Sequence, residues 1–260
     1  MHKSTGLAAL KRINLYDEFL KNARFDGEAM SIVDKHFEKW VEVPGGTQQS
    51  SNGRPEIDRT KLRDMLLKAV PHERIHWNAK LLNIDNDKDL TLHFDGRTET
   101  GFDLVVGADG TWSKVRPLVS PVRPAYTGIT GIRFKISNCA ERFLDLDAMV
   151  NKGLLLAFSD GQGLMAQQIG DGSLYVAAYL VRAEDWSDDM QTRYPESNVF
   201  RKKILELYDD WAPELRKFIE VADDQATWAD KIYQLPVGHR WPTKGNITLI
   251  GDAAHVRSYI

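Results

Sequence analysis

The sequence predicts an α/β protein in which part of a parallel sheet is joined to a second, mostly antiparallel sheet. Two stretches, "DLVVGADG" (103–110) and "ITLIGDAA" (247–254), each run an apolar strand into Gly and Asp. Near-continuous apolar strands of this kind suit a parallel sheet covered on both faces. Between them, "GITGIRFKI", "GLLLAF", "GLMAQQI" and "SLYVAAYLV" fill residues 128–183, separated by Gly and Asp turns. That is the pattern of antiparallel strands.

The remaining elements follow in chain order. Leu7, Leu10, Leu15 and Phe19 recur near helical spacing from Thr5 to about Ala23, broken at Ile13-Asn14, which predicts one or two short helices. "AMSIVD" and "FEKWVEV" alternate as a hairpin ending in Pro44-Gly45-Gly46, and "TQQSSNGRPE" reads as a polar loop. Asp58 or Thr60 is placed to cap a helix with an apolar face of Leu62, Met65, Leu66 and Ala69, which Pro71 stops. Residues 74–94 read as short strands around "DNDKD", and "DGR" turns the chain toward "FDLVVGADG". Helical stretches follow at about 195–209 and 213–222, ahead of "ATWADKIYQL" and the closing strand.

Composition narrows the function. With 260 residues, 42% hydrophobic and 27% charged, the chain can bury a sizeable core as two domains or one large one. Its 37 acidic and 34 basic residues are spread along the chain, so no basic field neutralises a phosphate backbone and no nucleic acid partner is expected. Cys139 is the only cysteine, which excludes an internal disulfide and a Cys-rich zinc site. No apolar run approaches the about 18 to 20 residues needed to cross a bilayer, and "MHKSTGLAALKR" lacks a signal-peptide core. The expected location is the cytoplasm.

The two Gly-Asp stretches carry the chemistry. A strand that enters a Gly turn and then a helix start is a geometry that holds phosphate and ribose groups. In open α/β sheets, ligands sit beyond the carboxyl ends of such strands. Taken singly, each Gly-Asp pair reads as plain turn punctuation; the two together, with "RTKL" nearby, argue against it.

"EIDRTKLRDMLL", "GADGTWSKVR" and "LIGDAAH", in this order, resemble the flavin-dependent aromatic hydroxylases, single-component FAD monooxygenases that use NADPH and oxygen. The likeness extends to "HKSTGLAALKRINLYDEF" and is nearest to the tetracycline-inactivating members. It implies a doubly wound, Rossmann-like FAD-binding domain formed by 1–20, 46–122 and 235–260, and a substrate domain formed by 21–45 and 123–234. It also implies roles for single residues. Asp252 would accept a hydrogen bond from the ribityl chain of FAD, with Gly251 letting the backbone approach. Arg59 would contact the flavin, with Arg63 the second choice. Asp109 and Gly110 would support FAD and the transient nicotinamide, and Arg116 would pack nearby as a salt-bridging partner. Arg59 also reads as a surface charge at a helix start, and Asp109 as a turn residue. His255 receives no chemical role.

The implied activity is hydroxylation of an aromatic or polycyclic small molecule, with FAD and NADPH as cofactors, no metal and no catalytic side chain of its own. Phe158, Gln162, Gln168 and Tyr179 are candidates to face the substrate, against a background of core packing and solvated strand faces. Two departures stand out: no G-x-G-x-x-G occurs, and "VRSYI" stands where the family has a Gly-rich turn and a long helix. The expectation is therefore a chain truncated at both ends, with an uncovered sheet edge that favours self-association. The alternative is a non-catalytic remnant or interaction module that no longer binds flavin.

Overall fold

The computed structural model describes residues 2–47, 55–86, 90–224, 227–243 and 245–257. Most of the expected polar loop at 47–56, and the tip of the 85–89 turn, lie outside the described residues. The chain divides into two compact units, Met1–Val70 with Ile129–Asp230, and Pro71–Gly128 with Lys231–Ile260. These boundaries follow packing and differ from the functional division implied by the resemblance.

The first unit opens with α1 (Ala8–Arg12) and α2 (Tyr16–Asn22). Between them Asn14 takes φ 58°, a left-handed conformation that Asn tolerates far better than a β-branched residue. The hairpin forms as expected from β1 (Met30–Asp34) and β2 (Lys39–Val43), its turn held by the Asp34 carboxylate, which accepts the N–H groups of His36 and Glu38 at 2.9 and 2.8 Å. The helix α3 (Arg59–Lys68) follows Asp58, but the Asp58 carboxylate does not cap it. That carboxylate accepts the N–H of Gly170 at 3.0 Å instead, so a local cap gives way to a long-range tie. Of the expected apolar face, Met65 is buried and Leu62 half-buried, whereas Leu66 and Ala69 are exposed. Leu7, Leu10, Phe19 and Met65 form a small core separate from the main one.

The main core belongs to a seven-stranded sheet among the described residues. It contains β7 (Ala125–Ile136), β8 (Leu154–Ser159), β9 (Gln162–Gln168), β10 (Leu174–Val181) and β11 (Trp228–Gln234), in the order β11-β7-β10-β9-β8-β1-β2. β1 pairs with β8 in parallel, while β8–β9, β9–β10 and β10–β7 are antiparallel. Strand alternation puts Ile132, Phe134, Leu155, Leu164, Val176 and Leu180 on one face, all within one core cluster. That cluster is completed by α5 (Leu144–Val150), α7 (Ser197–Glu206) and α8 (Pro213–Glu220).

Three helices were not anticipated: α4 (Cys139–Arg142), α5, and α6 (Trp186–Arg193). None exceeds eight residues, and Asn138 and Asn151 bracket the first two in left-handed conformations.

The second unit holds an antiparallel meander of β3 (Leu81–Asp85), β4 (Thr91–Phe94) and β5 (Arg97–Glu99). The two strands singled out in the sequence, β6 (Val105–Gly107) and β12 (Ile247–Leu249), pair directly in parallel, and α9 (Asp252–His255) follows. Strand β6 starts at Val105, later than the apolar run at Phe102 suggests. Ile84, Leu92, Val105, Val115, Ile247 and Leu249 share one core. No described helix is long and apolar enough to cross a membrane.

The buried Tyr208 hydroxyl lies 3.0 and 2.9 Å from the carbonyls of Gly163 and Tyr179 and shares its proton between them. Tyr208→Phe is expected to lower stability by about 1 to 2 kcal/mol, because those bonds are lost inside the core. Leu144→Ala, at a side chain left in solvent, is expected to change it by less than about 0.5 kcal/mol. Urea unfolding midpoints of the two variants check the contrast.

Candidate functional site

Parallel pairing of β6 with β12 aligns Val105 with Ile247 and Gly107 with Leu249, so both Gly-Asp turns leave the same end of the pair. Gly107 is required by packing. A Cβ there would meet Leu249 Cδ2 and Val115 Cβ, each at 2.7 Å.

After β6, the Asp109 carboxylate accepts the N–H of Lys114 at 2.7 Å, and Gly110 takes φ 80°. Ser113 Oγ then accepts the N–H groups of Val115 and Arg116 at 3.1 and 3.0 Å, starting a short turn at Arg116–Leu118. After β12, the Ile250 N–H returns to the Gly107 carbonyl at 2.9 Å. Gly251 then adopts φ 58° and ψ −144°, with open space where a Cβ would stand. A side chain here would be strained, so the turn demands glycine.

Arg116 joins the two turns. Its side chain is buried, with Nε donating to the Ala253 carbonyl and Nη2 to the Thr111 carbonyl, both at 2.8 Å. Longer contacts of 3.4 Å reach the carbonyls of Gly110 and Asp252. The expected salt bridge is absent among the described residues. Carbonyls at the ends of two turns need donors, and a buried guanidinium needs acceptors, so each satisfies the other. Burial draws the Arg116 pKa below its ordinary value, and the Asp109 charge offsets part of that effect.

The remaining predicted residues separate. Asp252 is exposed at the first position of α9, and none of the described residues hydrogen-bonds its carboxylate. His255 is exposed, one turn along. Arg59 begins α3 in the first unit, exposed and without an ion pair among the described residues, whereas Arg63 is engaged by Asp64 at 3.1 Å. The structure thus brings Asp109, Gly110, Gly251 and Asp252 together in the second unit and places Arg59 in the first.

Of the four substrate-facing candidates, two are used by the core. Gln162 donates to the Leu207 carbonyl at 2.7 Å and accepts from Trp211 Nε1 at 2.9 Å; Gln168 donates to Asp147 at 2.6 Å. Both share the face of Leu164 and Ala166, beneath the helices. Phe158 and Tyr179 lie on the opposite face, where Leu154, Leu156, Met165 and Tyr175 are only half-buried. That face also holds a group the sequence reading missed. Arg133 donates from Nε to Asp230 at 2.8 Å and from Nη1 to the Tyr179 hydroxyl at 2.7 Å. The signal was present: in "GIRFKI" a charge alternates with three core residues, which aims it away from the helices.

Among the described residues, no group of three His, Cys, Asp or Glu side chains is placed to hold a metal ion.

No protein-family model matches the chain. Among characterised proteins it is similar to the monooxygenase asqM of Emericella nidulans, 27% identical over 98% of this chain and 67% of that protein. The monooxygenase penA of Penicillium thymicola is 29% identical over 90% of this chain and 57% of its own length. The chain thus spans about two thirds or less of these relatives. Klebsiella pneumoniae HpxO, solved with FAD and uric acid, superposes with a TM-score of 0.75 at 20% identity, covering 96% of this chain and 62% of that one. The fold is that of the FAD-dependent aromatic hydroxylases. By sequence, the chain is a homologue of FAD-dependent monooxygenases.

Replacing Arg116 with Met strips up to four carbonyls of their donor while keeping much of the volume. A loss of about 2 to 4 kcal/mol is expected. Hydrogen exchange should rise first at the amides of Ala254 and His255, which bond the Gly251 carbonyl. Unchanged unfolding and exchange would remove Arg116 from this role.

Proposed function

We propose that the chain forms part of an FAD-dependent monooxygenase that uses NADPH and hydroxylates an aromatic or polycyclic small molecule. The observation that carries the reading is the Arg116 tie, which holds Asp252, its carboxylate without a partner among the described residues, and the open Gly251 beside the Asp109–Gly110 turn. The kinship with monooxygenases, and the uric acid bound by the HpxO neighbour, support the reaction class and a small aromatic substrate.

The residues fit the cofactor unevenly. Asp252 supplies an acceptor with no competing partner among the described residues, suited to a ribityl hydroxyl, and Gly251 leaves room for the approach. Gly110 serves the neighbouring turn, and Asp109 holds that turn through the Lys114 N–H. Arg59, exposed and without an ion pair among the described residues, is the proposed flavin contact. FAD, once reduced by NADPH, supplies the oxygen-activating chemistry. The chain's own part is to bind and orient the ring and to keep water from it.

In this reading 1–20, 46–122 and 235–260 serve FAD, while 21–45 and 123–234 serve the substrate, in the cytoplasm. The separateness of the small α1–α3 core supports assigning those helices to the cofactor part. Strand β6 pairs only with β12 among the described residues, and Leu104, Val106 and Ile250 are exposed beside it. That supports self-association through the free edge.

Flavin fluorescence titration of the full natural polypeptide tests the proposal. Asp252→Ala is expected to weaken FAD about tenfold or more, since a ligand hydroxyl loses its acceptor. Arg59→Ala should weaken it as well, and His255→Ala should leave it unchanged. A folded protein that binds no flavin, or an Asp252→Ala variant that binds it equally, would overturn the reading. Light scattering tests the edge separately: a clean monomer at high concentration would exclude self-association.

A further inference from the structure

The three residues that lead into α3 are each held by their side chains. Glu56 and Asp58 stand two positions apart on extended chain, so their side chains leave one face of it and that of Ile57 leaves the other. Ile57 packs against the small core of Leu7, Leu10, Phe19 and Met65. The two carboxylates turn to the large sheet. Glu56 accepts from Gln167 Nε2 on β9 and from Arg24 Nη2, both at 3.1 Å, and its backbone exchanges two hydrogen bonds with that of Arg24 at 2.9 and 2.8 Å. Arg24 Nη2 also donates to the Gln168 carbonyl at 2.8 Å, which joins the pair to the same strand end. Room for the pair depends on Gly27, where a Cβ would lie 2.8 Å from both Arg24 Nη2 and Glu56 Oε2.

Asp58 decides what the start of α3 is fastened to. An aspartate just before a helix ordinarily accepts an N–H of that helix's own first turn. Asp58 instead accepts the N–H of Gly170, in the turn between β9 and β10, at 3.0 Å, and meets Lys61 Nζ only at 3.9 Å. Gly170 leaves the space this needs, since a Cβ there would collide with Asp58 Oδ2 and lie 3.0 Å from its Cγ. A cap would have steadied the helix alone. The tie to Gly170 steadies the place of the helix on the sheet, at the residue directly before the exposed Arg59.

We propose that Asp58, backed by Glu56, is a positioning residue for Arg59: it fastens the start of α3 to the β9–β10 turn and so fixes where the Arg59 guanidinium is presented. A long exposed side chain on a wandering backbone must be ordered at the moment of binding, and that ordering is subtracted from its affinity. Three anchored residues ahead of Arg59 remove the backbone's share of this loss in advance. The inference rests on the flavin reading only for what Arg59 touches. That Asp58 sets its place does not depend on the ligand.

Nitroxide labels at Arg59→Cys and Lys202→Cys, in a Cys139→Ala background, read the position of residue 59 against exposed Lys202 of α7 with no ligand added. One narrow distance distribution is expected. Asp58→Ala should broaden it about twofold, and Gly170→Ala, which pushes the carboxylate away from the far side, should do the same; Asp58→Asn keeps an acceptor oxygen and should restore it. Flavin titration of the full natural polypeptide then reads the consequence. Asp58→Ala should weaken FAD about threefold to tenfold, yet change it by less than about twofold where Arg59 is already alanine. A carboxylate that only stabilises the fold would weaken FAD equally in both backgrounds. Should Asp58→Ala fail to fold, Gly170→Ala takes its place in both measurements. An unchanged distribution in the folded variants overturns the proposal, as do equal losses with and without Arg59 when Arg59→Ala itself weakens FAD. If the distribution broadens while Arg59→Ala leaves FAD affinity untouched, Asp58 still positions Arg59, and it is the flavin role of Arg59 that fails.

Discussion

A single buried guanidinium sets the geometry of the second unit. Arg116 donates to carbonyls in a turn a few residues before it and in a helix start more than a hundred residues after it. The parallel pairing of β6 and β12 makes that reach possible, because it brings both strand ends to one place. Binding to carbonyls fixes the turns through their backbones. A carboxylate partner would have tied only one flexible side chain, and burying a second charge would have added its own desolvation cost. The solution keeps Asp252 out of the network, available to something else.

The large sheet shows a comparable separation between its faces. On the helix side Gln162 is held by Leu207 and Trp211, Gln168 by Asp147, and Tyr208 by two strand carbonyls. A buried polar group without a partner is costly, so such a face tolerates few changes and specifies one packing. The opposite face is built otherwise. Most of its apolar side chains are only half-buried, and Arg133, part-buried among them, is tied to Asp230 and the Tyr179 hydroxyl. Packing against the helices therefore fixes one face, while the other is left more open.

Most of this fold was legible in the sequence because its signals are local and periodic. Alternation marked β7 to β10, the strand-to-Gly-Asp pattern marked β6 and β12, and the resemblance assigned both to one family. What escaped was either short or set by distant contacts. Helices α4, α5 and α6 are short, and left-handed Asn138 and Asn151 break the chain on either side of the first two. The Asp58 carboxylate sits where a cap belongs, yet Gly170 claims it from far along the chain. Gln162 and Gln168 were plausible ligands for a substrate until strand register put them under the helices. Face assignment needs register, and register depends on pairing partners that no single strand encodes.

The two Gly-Asp turns carry this limit into the site itself. In sequence, Gly107-Ala108-Asp109-Gly110 and Gly251-Asp252 look like repeats of one device, and either aspartate is as good a ligand as the other. In the fold they part. Asp109 follows a glycine whose tight packing against Leu249 and Val115 fixes β6, and its carboxylate is used up on the Lys114 N–H. Asp252 follows a glycine in open space, at a helix start whose carbonyls Arg116 already satisfies. One aspartate closes its own turn, and the other is left exposed with no partner among the described residues. A carboxylate that the fold has not used, on a backbone the fold has fixed, is the more selective handle for a ligand hydroxyl, because no internal bond has to break before the new one forms.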